Sequence, residues 1–596
     1  MAAFDHSPEN PGQSYPRGFR PRRGLNWGYL GLLYTSFYLC RFNLSVANKA
    51  IRDQYHFDYA QMSRIIFTST LVYAFGQIIN GLITDRIGGK KAMLIGAAGT
   101  ILMNVLFGAA SVWGILGLFI AIRGIDGYFQ SFGAPGMTKI KTAWFAKTER
   151  GGFAGIFGFM INLGRLGIYT FGPALLAGFT LFGMVRVDPL HWKWLFWGPS
   201  IVCGIMAIAM AFGIKETPEE NGFLPVEQYK PANPTAATIV RSTITGSIVA
   251  IIFISIFWCY HHETTCATLA APLAKAEKNV TSLSISPLNE PLKIYTTVTL
   301  VSKTDSTSAV INAAAPAGTT TLSVEKFDSN GNYEVGAIAE TSMLDAMELA
   351  VLVAAAIVVI FIVLHIMANV FVPDPEMIRA AKEDVATATR ADFSTAMRLI
   401  VVNPAVWIVA AAYACTGAVR NPIDSWFASY MQEAHDTSQV SSLFQTLAFL
   451  IPIAGSAGSL LSGYVSDKLF KGERSPVAAC LYLTEIAIVA FASFYSNTPD
   501  RAVFFLVALS FTANATHSIL GTAAAMDIGG RKMTGFASGV IDSFQYFGAS
   551  LGLWGLGHLL DHYGWKAYFP YMIPFGIIGF CLMIFGRGII SRNSQR

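Results

Sequence analysis

The chain has 596 residues, 53% of them hydrophobic and only 13% charged, with a net charge of +5 and a mean hydropathy of +0.47. A soluble globular chain carries roughly 25% charged residues, so an ordinary soluble domain is excluded and a polytopic membrane protein is expected. The basic residues are spread over short loops and gather into no single patch, so no nucleic-acid partner is expected.

Residues 1–24 carry Arg17, Arg20, Arg22 and Arg23 with no short apolar segment and small-residue cleavage site after them. They read as a cytoplasmic tail. Six apolar spans follow at 25–46, 62–84, 91–112, 114–136, 152–180 and 192–214, making an N-terminal bundle over 25–214. A polar linker at 215–237 leads to an inserted span at 238–260. The stretch 261–344 alternates polar and apolar residues, as in KIYTTVTLVSK and TTTLSVEKF, with turn residues at DSNGNYE. It is expected as a small β-rich extracytoplasmic module. A second inserted span at 345–370 and a linker at 371–401 precede six more spans at 402–430, 440–466, 475–495, 502–526, 534–560 and 567–587. These form a C-terminal bundle over 402–587, with a tail at 588–596.

The basic loops DRIGGKK, KIKTAWFAKTERGG, DKLFKGER and GGRKMTG fall on one side together with both termini. That side is expected to be the cytoplasm. Seven scattered cysteines suggest no disulfide framework, and CYHHETTC at 259–266 fits no zinc spacing. No P-loop, nucleotide fold or acyl-transfer triad is present, so neither an enzyme nor an ATP-driven pump is expected, and no cofactor or metal is expected.

The two halves repeat. GLITDR (81–86) recurs as GYVSDK (463–468) and GGFAGIF (151–157) as TGFASGV (534–540). Arg41 in YTSFYLCRFNL recurs as Arg420 in YACTGAVRNPI, each seven residues after a tyrosine, Tyr34 or Tyr413. The spacings are 379 for the arginines, 382 from Asp85 to Asp467 and 383 from Phe153 to Phe536. Parallel six-helix repeats with a site between them near the midplane are the major facilitator plan. The Asp85–Arg86 and Asp467–Lys468 pairs are candidate gating loops, because an aspartate there can lock one conformation against a basic group or a helix end.

An arginine near the middle of a membrane helix costs at least ~2.5–3.5 kcal/mol, so Arg41 and Arg420 are expected to face a cavity or a partner. Guanidinium forks match phosphate oxygens and stay charged when desolvated, so one arginine per half suits a phosphate dianion. Asp424, four residues after Arg420, is the competing partner. Tyr34, Tyr38, Gln130, Arg165 and Tyr413 are further candidates for binding. Arg123 and Asp126 are expected to pair with each other, and His517, Asp527 and Asp542 are weaker interior candidates.

YLCRFNLSVANKAI, IRGIDGYFQSFGAPG, WFAKTERGG and VRNPIDSWFASYM resemble the organophosphate:phosphate antiporter family of the major facilitator superfamily. The resemblance covers roughly 25–225 and 395–590, and it implies exchange of an organic phosphate (a sugar phosphate, glycerol phosphate or phosphoglycerate) for inorganic phosphate. It further implies that an arginine in the first and seventh core helices binds phosphate, matched here by Arg41 and Arg420. Two positions depart from the glycerol-phosphate carriers: Gln77 stands in place of a lysine and Ile161 in place of a histidine, with Arg165 one turn later. The expected partners are a small anion and membrane lipid, with a possible partner at the module. A monomer in a bacterial inner membrane is expected. The rival readings are a sensor of organic phosphate, which the same family contains, and a proton-coupled importer using Asp527 or Asp542.

Overall fold

The computed structural model describes residues 15–16, 18–145, 150–181, 185–226, 404–439, 441–470 and 473–594, six strands between 267 and 338, and isolated positions from 355 to 402. The inserted spans expected at 238–260 and 345–370, the linker at 371–401 and the motif CYHHETTC lie outside these residues, apart from those isolated positions. The chain divides into one unit holding both six-helix halves and a second unit holding Thr180–Val185 and Pro234–Val351.

The N-terminal half is built from α1 (Phe19–Tyr55), α2 (Tyr59–Ile87), α3 (Gly89–Ala109), α4 (Leu116–Gln130), α5 (Gly133–Trp144), α6 (Arg150–Ala177) and α7 (Trp194–Gly213). The C-terminal half comprises α8 (Pro404–Ala434), α9 (Ser442–Leu469), α10 (Arg474–Tyr495), α11 (Pro499–His517), α12 (Ala524–Tyr563) and α13 (Ile573–Ser594). Seven of the described helical segments, among them α2, α3 and α7, are long and apolar enough to cross a membrane. The helices α1 and α8 are not among them, because polar and charged side chains interrupt their apolar runs.

Local chemistry sets the boundaries. Asp58 and Gln61 form a reciprocal capping box at the start of α2. Gly88, at φ 92°, turns α2 into α3, and the Glu216 carboxylate accepts from the N–H of Gly89 at 2.6 Å. The first helix starts six residues earlier than expected, so the last residues of the basic tail are helical. The fourth span, expected as one helix over 114–136, breaks at Ser131–Phe132 and resumes as α5. Ser131 Oγ donates to Tyr128 O at 2.7 Å, and Pro135 lacks the N–H that would continue the ladder. GGRKMTG, expected as a loop, is helical within α12. Glycine in a helix costs only about 1 kcal/mol, and the lysine, arginine and methionine beside it favour helix.

The halves meet where α2 lies along α12 and α6 along α9, with α1 against α8. Within the second half, α8 and α12 cross at backbone contact. A Cβ on Gly417 would overlap the carbonyl of Gln545, and one on Gly548 that of Ala414. Thus small residues let the two site-bearing helices of this half approach closely.

In the second unit, β1 (Ala267–Ala271), β2 (Val280–Ser286), β3 (Tyr295–Ser302), β4 (Ser308–Ala314), β5 (Thr321–Phe327) and β6 (Tyr333–Ile338) form two antiparallel sheets, ordered β1-β6-β5 and β2-β3-β4. In β2–β3, Leu283 faces Leu300 and Ile285 faces Val298, so apolar residues pair across one face as the alternation requires.

Candidate functional site

Arg41 sits on α1 where that helix meets α4, α2 and α12. Its Nε donates to Gln130 Oε1 at 2.7 Å and its Nη1 to the Tyr546 hydroxyl at 2.8 Å. The rings of Tyr73 and Tyr38 lie 4.4 and 4.8 Å from the guanidinium carbon, a cation–π cage that holds charge without neutralising it. Its Nη2 is buried and has no hydrogen-bond partner among the described residues. Gln130 in turn donates to Asp126 at 2.8 Å. That bond orients the amide so that its oxygen meets Arg41. Gln130, expected as a contact for substrate, lines the cavity beside Arg41 and also orients the arginine.

Arg420, on α8, is built alike. Its Nε donates to Asn514 Oδ1 at 3.1 Å and its Nη2 is buried and unpartnered. Asp424 is only a distant neighbour of this group, 3.9 Å from Nε. The carboxylate lies instead 2.6 Å from Arg165 Nη2, so an arginine of the first half pairs with an aspartate of the second in a fully buried contact. Asn514 Oδ1 is also 3.5 Å from Arg165 Nη1, so one amide oxygen serves both guanidiniums. Arg123 and Asp126 pair at 2.8 Å as expected, and Arg123 also donates to the carbonyls of Cys40 and Arg41.

The interior thus contains two kinds of arginine. Arg123 and Arg165 are each neutralised by a carboxylate, whereas Arg41 and Arg420, one per half, keep a terminal nitrogen free. Leaving such a buried donor unmade costs about 1–3 kcal/mol, more for a charged group. An acceptor oxygen at either nitrogen would remove that penalty, and dry surroundings strengthen such an attraction.

Between α1, α2, α4, α8 and α12 lies a cavity of about 50 Å³, walled by Arg41, Ser45, Tyr73, Gln130, Asn421 and Tyr546 among others. A water needs roughly 10–15 Å³ on this measure, so the space holds a few waters and is too small for a sugar phosphate. Both ends are tied. At the end where α2 begins, Arg52 meets Glu433 at 3.0 Å, the Tyr59 hydroxyl also bonds Glu433, and Asp561 accepts from the N–H groups of Tyr59 and Ala60. At the other end Asp85 takes Lys139 at 2.9 Å and the N–H of Phe536, on α12, at 3.0 Å. One aspartate of the first half therefore caps backbone of the second. Arg86 is exposed beside it. The side chains of Asp467 and Lys468 lie outside the described residues.

Tyr38 belongs to the cage. Tyr34 is buried one turn earlier on α1, stacked edge-on to Tyr38 at 5.3 Å. Tyr413 is near enough to Arg420 for their charges to interact, and its hydroxyl makes its bonds elsewhere. Its hydroxyl lies 2.7 Å from His517 Nδ1 and 3.2 Å from Asp542 Oδ1. Tyr73, Tyr546 and Asn514 were not singled out in the sequence. The available signal was helical spacing: Tyr73 stands four before Gln77, and Tyr546 four after Asp542, the same rung on two facing helices.

Two parallel six-helix halves that meet along α2 and α12 and along α6 and α9 are the plan of a membrane transporter. The model of the Major Facilitator Superfamily matches residues 30–286 and 335–553, and the chain belongs to that family. It is 22% identical over 94% of its length to a "Probable hexose phosphate transport protein" of Chlamydia pneumoniae, covering 90% of that protein. It is 21% identical over 93% of its length to "Membrane sensor protein UhpC" of Escherichia coli, covering 89% of it. A "Glycerol-3-phosphate transporter" of Bacillus subtilis is 25% identical over 34% of this chain and 44% of its own length. These relatives are consistent with the organophosphate:phosphate antiporter family. Among solved structures, the proton:xylose symporter XylE superposes with a TM-score of 0.52 at 11% identity, covering 96% of each chain. A bacterial homolog of the lysosomal transporter Spinster gives 0.51 at 13%, covering 97% of this chain and 98% of its own. Both establish the fold.

Proposed function

We propose that this protein exchanges an organic phosphate for inorganic phosphate across the membrane by alternating access, with Arg41 and Arg420 holding the phosphoryl group. The observation that carries this reading is the matched pair of buried, unpartnered Nη2 atoms, one from each half. Two forks from two halves can close on one tetrahedral dianion. The cavity beside Arg41 suits a phosphoryl group, its wall reaches Asn421 but not Arg420, and closing both forks on one anion, or admitting a sugar or glycerol moiety, needs the halves to move. Exchange follows because the arginines without an anion carry uncompensated charge. That charge raises the barrier to rocking, and either anion lowers it. The basic end, with Asp85, would face the cytoplasm and the Arg52–Glu433 end the outside. The strands between 267 and 338 would then form an extracytoplasmic module carried by the inserted spans.

The names of the relatives support hexose phosphate or glycerol 3-phosphate as the ester. The test is counterflow in proteoliposomes loaded with phosphate, offering labelled phosphate, glucose 6-phosphate and glycerol 3-phosphate outside. Saturable exchange of one ester is expected, falling roughly 30–150-fold in Arg41→Lys and in Arg420→Lys. That loss corresponds to about 2–3 kcal/mol for one charge-assisted contact. Full exchange in both variants would sink the reading. A second reading has its own observation, the full-length likeness to a membrane sensor. It expects ester binding with the same arginine dependence but no counterflow.

A further inference from the structure

Three groups outside the arginine site meet on the side of Arg420 nearer the basic end. The Tyr413 hydroxyl on α8 bridges His517 Nδ1, at the end of α11, and Asp542 Oδ1 on α12. Tyr413 is buried, and His517 and Asp542 are largely covered side chains on the neighbouring helices. A π-helical turn, Ser518–Ala523, follows His517 directly, and its Gly521 leaves room for the Tyr413 hydroxyl, which a Cβ would overlap. A phenol donates one proton only. With Asp542 ionised, Tyr413 donates to it and accepts from His517 Nδ1–H. An added proton can sit on the carboxyl or reverse the chain toward the imidazole.

Among the described residues, the groups facing this chain are few. Arg420 and Arg41 act on Asp542, with Gln77 of α2 beside the carboxyl, and Arg420 and Arg165 act on His517. Tyr73 and Tyr546 stand between α2 and α12. Lys139 of α5, a helix packed on α12, pairs with Asp85. Glu485 of α10 lies toward Cys415, two residues on from Tyr413. Among the described residues, the four guanidiniums Arg41, Arg123, Arg165 and Arg420 stand with the three carboxylates Asp126, Asp424 and Asp542, and Glu485 makes no hydrogen bond to any of these seven groups. The net charge of the seven is one positive with Asp542 ionised and two positive with a proton on the relay.

We propose that Asp542, Tyr413 and His517 form a proton-binding site whose occupancy decides the charge of the anion taken: a dianion with the proton, a monoanion without it. This rests on the reading of Arg41 and Arg420 as the anion site. One proton and one dianion then bind together, because together they neutralise the interior. A phosphate ester loses its own second proton near pH 6, so a non-titrating probe is required.

The experiment is sulfate binding to the purified full-length chain by calorimetry, from about pH 4 to 8, where sulfate stays a dianion while carboxyl and imidazole groups titrate. In the wild type, affinity is expected to fall roughly tenfold per pH unit once the relay gives up its proton, as linkage of one proton to one ligand demands. Asp542→Asn fixes the site at two positive charges and is expected to bind sulfate independently of pH, with the wild type's acid-side affinity. Tyr413→Phe removes a donor to the carboxylate and is expected to keep the slope but move its midpoint to higher pH. A flat wild-type profile, or the same slope in Asp542→Asn, overturns the proposal, even when phosphate exchange proceeds normally. Absence of both sulfate binding and phosphate exchange at every pH overturns the arginine site itself.

Discussion

Arg41 and Arg420 can be set against Arg123 and Arg165. All four are interior arginines on core helices, three in the first half and one in the second, and residue type does not separate them. Arg165 rests 2.6 Å from Asp424 and Arg123 2.8 Å from Asp126, whereas Arg41 and Arg420 are held by neutral acceptors, Gln130, Tyr546 and Asn514. A carboxylate neutralises and fixes. An amide or phenol orients the fork and leaves its charge available. The difference separates arginines whose charge is met by a carboxylate, within α4 for Arg123 and across the halves for Arg165, from two whose charge is not.

The largest expected effect tests the joining role. Arg165→Ala leaves Asp424 buried without its cation and should cost about 3–5 kcal/mol of stability. Adding Asp424→Asn should recover most of the loss. Thermal melting in detergent reads both, and a single variant that melts like the wild type would break the contrast. Next comes the orienting role. Tyr546→Phe removes the acceptor of Arg41 Nη1, which should cost about 1–2 kcal/mol and lower phosphate exchange roughly 5–30-fold with little change in melting. Equal losses of exchange and stability would show that Tyr546 is packing alone. The smallest effect concerns the tie at the α2 N-terminal end. Arg52 and Glu433 are partly exposed, at 11% and 15%, so the pair contributes at most about 1 kcal/mol. Glu433→Gln should raise severalfold the rate at which a thiol reagent labels Ser45→Cys in the cavity wall, in a background without the exposed Cys480. An unchanged rate would mean that Asp561 and Tyr59 keep that end shut alone.

Much of the architecture was legible in the chain. The near-constant spacing from Arg41 to Arg420 and from Asp85 to Asp467 gives the two halves, because a duplicated bundle keeps its intramembrane charges at equivalent depths. The Arg123–Asp126 pair was readable from helical spacing, since residues three apart share a face. The break at Ser131–Phe132 was not, because it depends on a hydroxyl choosing a carbonyl one turn back. Gln130 looked like a contact for ligand, and only its bond to Asp126 shows that it aims Arg41.

By itself, then, the sequence determined a twelve-helix membrane core with one interior arginine in the first helix of each half. Apolar length and charge cost are local properties that need no partner. Which arginine meets a carboxylate was decided by the tertiary structure alone. Asp424 stands one helical turn from Arg420 yet pairs with Arg165 from the other half, and Arg41 finds its acceptor, Tyr546, 505 residues away. A charge on a helix does not specify its counter-ion. Only the crossing of helices from two halves brings donor and acceptor within hydrogen-bond reach, and that crossing leaves two forks open.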